Sequence, residues 1–176
     1  VLRTPRIHCG CRTYTTHHSR LTSECARSQA TAKAPRYDDV GFIRSVVASV
    51  ASSASIDRTR VYMAGYSLGC FMAQAMGANA SDITAAVGCH SGYLAADETQ
   101  VPPSYAPRSF LVVHGKTDSV IPYSSSLSSI QLVAGLNSCP SSPVVTQATG
   151  YRQHLYSGCS GGTEVAMSND RGAGSG

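Results

Sequence analysis

With 176 residues, 42% of them hydrophobic and 14% charged, the chain has the size and composition of one globular domain. No stretch approaches the ~20 consecutive apolar residues of a spanning helix, so no membrane partner is expected. The net charge of +4 is uneven: residues 1–36 carry seven Lys and Arg against Glu24, a net +6 that leaves −2 for the rest.

The first 36 residues read as a basic polar arm, rich in Ser, Thr, Arg and Ala and without a sustained hydrophobic period. Aromatic residues are not interleaved with its basic ones, so nucleic acid is not an expected partner. His8, Cys9, Cys11, His17, His18 and Cys25 match no strong zinc spacing, and no metal or organic cofactor is expected. There is no initiating Met and no apolar leader, so a signal peptide is absent or already removed, with a fragment as the alternative. Seven cysteines lean toward an oxidising compartment.

From Tyr37 the character changes. Asp38 and Asp39 precede Val40, Ile43, Val46, Val47 and Val50, spaced as on one helix face with acids at its N-terminus. Arg60 to Ala64 reads as a short strand ending at Gly65, and Phe71 to Met76 as a helix. Ile83–Gly88 reads as a second strand. Phe110 to Val113 reads as a third, apolar throughout as for a parallel strand covered on both faces. Leu127–Leu136 has helical character, and Val144–Thr146 and Glu164–Met167 read as late strands. The alternation gives an α/β class with a mainly parallel sheet flanked by helices.

Gly65-Tyr66-Ser67-Leu68-Gly69 has the form G-x-S-x-G. It follows a predicted strand and opens a predicted helix, the context in which a serine sits on a tight turn as a nucleophile. Small residues at Gly65 and Gly69 are expected to let turn and helix pack closely. The N–H of Leu68 is the candidate oxyanion donor. Tyr66, beside the serine, and His90, after the next strand, are candidate substrate-lining residues. In an α/β-hydrolase triad the acid and then the histidine follow the serine. "FLVVHGKTDSVIPY" supplies the acid: a buried strand, His114-Gly115, then Asp118 in a loop. After Asp118 only His154 remains, in "GYRQHLYSGC"; it is the candidate base, against the plainer reading of a surface or strand histidine. Cys70, beside Gly69, is expected to be buried and unpaired under the elbow helix.

"YDDVGFIRSVV", "IDRTRVYMAGYSLGCFMA", "VVHGKTDSVIPY" and "LNSCP…YSGCSGGTEV" resemble the polyhydroxybutyrate depolymerase and feruloyl or acetylxylan esterase group of secreted α/β hydrolases, over roughly residues 37–167. The resemblance implies an extracellular, monomeric serine carboxylic-ester hydrolase with the α/β-hydrolase fold. Its substrates would be polymer-linked or aromatic esters: polyhydroxyalkanoate, or feruloyl or acetyl esters of plant polysaccharide. It also implies a disulfide between Cys139 and Cys159, with Cα atoms about 4.4–6.8 Å apart.

Two departures accompany it. The group's first strands and its His-Gly-Cys or His-Gly-Gly oxyanion loop belong in the N-terminal third, where this chain offers only "RIHCGCRT". The group's catalytic histidine follows the last strand in Gly-His-x-Trp-Pro-Gly. This chain reads "EVAMSNDRGAGSG", with Ser175 at that place and no Trp anywhere. Residues 37–176 are therefore expected to be a partial hydrolase domain, lacking the first strands and the end, with impaired activity because the base is absent. The competing functions are a non-catalytic hydrolase-like protein that binds an ester or glycan, and a serine peptidase of the same fold.

Overall fold

The computed structural model describes residues 38–95 and 100–170. The basic arm, its cysteines and histidines, and Ser175 lie outside the described residues.

The first described element is helix α1 (Asp39–Ser53). The Asp38 carboxylate accepts from the Gly41 N–H at 2.8 Å and caps it. The helix forms as its spacing predicts, but no α1 residue is buried: of the apolar stripe Val40, Ile43 and Val47 are half-buried and Val46 and Val50 exposed. What ties α1 down is Arg44. Its guanidinium pairs with Asp82 at 2.6 Å and donates to the Asn79 carbonyl at 3.3 Å, at the end of the next helix.

Strand β1 (Tyr62–Tyr66) runs directly into α2 (Leu68–Asn79), then β2 (Ala86–His90) and β3 (Ser109–Val113). Helix α3 (Tyr123–Leu136) follows, then the hairpin β4 (Val144–Ala148) and β5 (Tyr151–Tyr156), and last β6 (Val165–Asp170). The sheet is mixed, in the order β1-β2-β3-β6-β5-β4. The pairs β1–β2, β2–β3 and β3–β6 are parallel; β6–β5 and β5–β4 are antiparallel. The class is α/β, as expected. The tract 151–156, read from sequence only as the setting of His154, is a full central strand.

Both α2 and α3 pack on one face of the sheet. Val87, Cys89, Phe110, Val112, Val165 and Met167 point into it and meet Cys70, Ala73 and Ala78 of α2 and Ile130, Val133 and Ala134 of α3. Each large side chain buried here contributes on the order of 1.5–3 kcal/mol. Gly77 makes the crossing possible, because a Cβ there would run into the Phe110 ring and lie 2.6 Å from Val87. The other face differs from expectation. Strand β3 alternates, with Phe110 and Val112 buried but Leu111 and Val113 exposed, so the described residues cover the strand on one side only.

Among the described residues, two disulfides brace the fold. Cys139–Cys159 joins the end of α3 to the connection between β5 and β6, with Cα atoms 4.0 Å apart, a little under the expected span. Cys70 is not free: it pairs with Cys89, Cα atoms 5.0 Å apart. The reason is register. Cys89 lies opposite Gly65 on the neighbouring strand, with its side chain on the helix-covered face, and the first turn of α2 brings Cys70 down onto that face. The same packing that buries Cys70 delivers its partner.

Candidate active site

Ser67 occupies the junction of β1 and α2 as the helix N-cap, with φ 55° and ψ −120°. A non-glycine residue in this region stores on the order of 1–3 kcal/mol of strain. The junction is held by Ser67 N–H donating to the His90 carbonyl at 3.0 Å, and by the Cys70 N–H donating to the Ser67 carbonyl at 2.9 Å. Gly65 is needed for the sharpness of the turn: a Cβ would overlap the Gly69 carbonyl. Gly69 is not needed in the same way, because a Cβ there meets open space. Of the two motif glycines, it is Gly65 that close packing at the elbow requires. Leu68 is the first residue of α2, where backbone N–H groups have no intrahelical acceptor and face any negative charge placed above the helix.

Asp118 lies in the loop after β3. Its Oδ1 accepts the N–H groups of Val120 and Ile121, each at 2.9 Å. The Ile121 N–H, then the Val120 N–H, the Ser91 hydroxyl and the His114 ring hold the carboxyl below its ordinary range, against partial burial. Ser91 was missed in the sequence. It follows β2 with φ 53°, is buried, and donates its N–H to the Val113 carbonyl at 2.9 Å. The backbone thus links Ser67 to His90 and Ser91 to Val113, and the Ser91 hydroxyl reaches Asp118. Ser67 and the Asp118 loop stand at the carboxyl edge of the parallel strands, two strand spacings or about 10 Å apart along the sheet.

Tyr66 and His90 end β1 and β2 as register partners, with ring centroids 5.5 Å apart. Both are exposed on the face without helices, rather than on the face under α2. His90 is the last residue of its strand, not a loop residue beyond it. His154 is elsewhere. It sits inside β5, opposite Val145 and Met167, four strand spacings or about 19 Å from β1. Burial, then Arg152 and Lys116, lower its proton affinity. The structure does not bring it to Ser67. Asp170, ending β6 at the same edge as Asp118, accepts the Lys116 N–H at 2.9 Å and so joins the two loops.

One wall of the site is apolar: Phe71 and Ile121 are buried against Tyr93 and Ala95, with the Phe71 and Tyr93 rings edge to face at 4.5 Å. Among the described residues no group of three or more His, Cys, Asp or Glu could hold a metal ion, and no helix is long and apolar enough to cross a membrane.

No family model matches the chain. The sequence aligns with feruloyl esterase B of Piromyces equi at 28% identity over 156 residues, covering 78% of this chain. The likeness is to an esterase. It supports an esterase-family relationship, and the hydrolase class with it. The chain spans 28% of the length of that curated relative. The two disulfides are compatible with an oxidising compartment.

Proposed function

We propose that Ser67 and Asp118 are the nucleophile and acid of a serine carboxylic-ester hydrolase site on an α/β-hydrolase scaffold. The observation that carries the reading is the strained backbone of Ser67 at a strand-to-helix junction, two strands from a carboxylate at the same sheet edge. In the reaction Ser67 Oγ attacks the ester carbonyl carbon and its proton passes to a histidine base. The N–H of Leu68 takes the developing oxyanion, and Asp118 steadies the imidazolium. The alcohol leaves with that proton, and water then releases the acid from the acyl-serine by the same route.

The base is unassigned among the described residues. Among the described histidines, none is hydrogen-bonded to Ser67, whose side chain makes no cap hydrogen bond either. The resemblance places the base after β6, so the 176 residues alone should turn over slowly. Polymer-linked or aromatic esters are the proposed substrates, on the strength of the feruloyl esterase alignment. The exposed Tyr66–His90 pair, its rings tilted by 35°, offers aromatic contact beside Ser67 for an aromatic acyl group. Secretion and a monomeric state belong to the same proposal.

The test compares hydrolysis of a p-nitrophenyl ester, and labelling by a fluorophosphonate, in three chains. These are the 176 residues, the same chain extended through Gly-His-x-Trp-Pro, and the extended chain carrying Ser67→Ala. The first is expected near background. The extension should raise turnover by roughly a thousandfold or more, and Ser67→Ala should remove both turnover and label. An extended, folded chain whose Ser67 takes no label overturns the reading. Tight retention of an ester polymer without turnover or label would favour the non-catalytic binding protein instead.

A further inference from the structure

We propose that His114 is the positioning residue of Asp118, a buried ring that clamps the 118–121 turn from behind. The inference rests on the reading of Asp118 as the acid of the site. His114 lies one residue past β3 and is fully buried, where an unpaired ring nitrogen would cost a few kcal/mol. Both nitrogens have partners. Nε2 is 3.0 Å from the Ile121 carbonyl oxygen, which can only accept, so Nε2 carries a proton and donates it there. Nδ1 is 2.6 Å from the Ser126 hydroxyl, in the first turn of α3. That hydroxyl also lies 2.7 Å from the Gly92 carbonyl. Its single proton goes to Gly92 or to Nδ1, and in both arrangements the Nε2–H stays on Ile121.

The consequence is mechanical. Ile121 is held by its carbonyl while its own N–H holds the Asp118 carboxylate, and its side chain is buried against Phe71. His114 Nε2 is also 3.5 Å from Asp118 Oδ2. Through Ser126 the ring ties the same turn to the Gly92 backbone, next to Ser91, and Ser91 bonds Asp118 from the other side. One ring therefore joins the loop after β2, the loop after β3 and the start of α3. The titratable groups around the carboxylate are this ring, Lys116 in the same loop, and Asp170 from the end of β6.

The test is the titration midpoint of the Asp118 carboxyl, read by carbon NMR in the 176-residue chain and in two variants. His114→Gln can place an amide N–H near the position of Nε2. His114→Asn can reach Ser126 but not Ile121. Both variants lose the ring's own pull on the carboxyl, and the Gln chain is expected to stay nearer the wild-type midpoint than the Asn chain. The Asn chain should shift it upward toward the ordinary aspartate range, as the turn releases the carboxylate. An Asn chain that is less stable but titrates Asp118 at the wild-type midpoint means that the ring only fills space, and overturns the proposal. If the Asn chain does not fold, the wild-type ring decides. Long-range proton–nitrogen correlation should show Nε2 protonated, and an unprotonated Nε2 overturns the clamp. None of these readings needs turnover. Failure of the esterase reading shows separately, as an unlabelled Ser67 in the extended chain.

Discussion

At the scale of single residues, the elbow carries strain that can be measured without any substrate. Ser67 holds a positive φ that only glycine adopts freely. Ser67→Gly should therefore be more stable than Ser67→Ala by about 1–2 kcal/mol, read from urea midpoints. Equal midpoints would mean the elbow is unstrained. The two flanking glycines should behave oppositely. Gly65→Ala pushes a methyl group into the Gly69 carbonyl and should break the turn, whereas Gly69→Ala enters open space on a helix and should gain up to about 1 kcal/mol. Asp118 supplies a pH test. Its folded-state pKa is depressed, so its contribution is present above the unfolded value of about 4 and is lost as pH falls through the folded one. The stability gap between wild type and Asp118→Asn should be widest near neutrality and close in strong acid. A gap independent of pH would show that the charge is not what the turn binds.

At the scale of elements, the end of α3 is held by one amide. Asn137 is fully buried and donates to the Arg108 carbonyl at 2.7 Å and to the Thr163 hydroxyl at 3.1 Å, while accepting from the Tyr105 hydroxyl at 2.6 Å. It thereby joins the helix end to the segments that lead into β3 and β6. Asn137→Leu strands three polar groups and should cost about 2–4 kcal/mol in denaturant unfolding. Burial pushes the Tyr105 phenol up to about 12, so it should be among the last tyrosines to ionise in an ultraviolet titration. Gln74 plays a similar part in α2. It donates toward the sulfurs of Cys70 and Cys89 and accepts from Ser129 of α3 at 2.8 Å, and the Ser129 hydroxyl receives the Leu94 N–H. The loop after β2, which bears Ser91, is thus fastened to both helices.

At the scale of the whole molecule, the two disulfides close loops of 19 and 20 residues in sequence separation. Chain-entropy reasoning assigns each about 3 kcal/mol, a model-dependent figure. Opening Cys139–Cys159 by paired serine substitutions should lower stability by that order while leaving the Ser67 elbow in place, because the bridge lies at the opposite end of α3 from Tyr123. Among the described residues, one face of the parallel strands is uncovered. Tyr62, Tyr66, Leu111 and Val113 are all exposed there, although parallel strands are as a rule covered on both sides. The 176-residue chain should bind a hydrophobic dye in its native state, and Leu111→Asn should weaken that binding. An absence of dye fluorescence would mean the face is covered in solution.

Much of this architecture was legible because its signals are local. Asp38 as a helix cap, the elbow from Gly65 to Leu68, and the apolar tract 110–113 before Asp118 each depend on a few neighbouring residues, where backbone sterics and short-range hydrogen bonds set the outcome. Those local signals also carried the order of β1, α2, β3 and the acid loop. What the sequence could not supply was adjacency. Cys70 meets Cys89 because parallel register places Cys89 beside Gly65, and register is a property of paired strands, not of either one. His154 falls far from Ser67 because β5 enters the sheet antiparallel beyond β6, a placement that its own polar sequence does not encode. Ser91 and Ser126 looked like ordinary loop and helix residues, and His114, which the resemblance puts at a position that shapes the loop before Asp118, had no partner visible in the sequence. Only the convergence of three segments at one sheet edge makes them neighbours, and there burial turns each polar atom into a group that must find a partner.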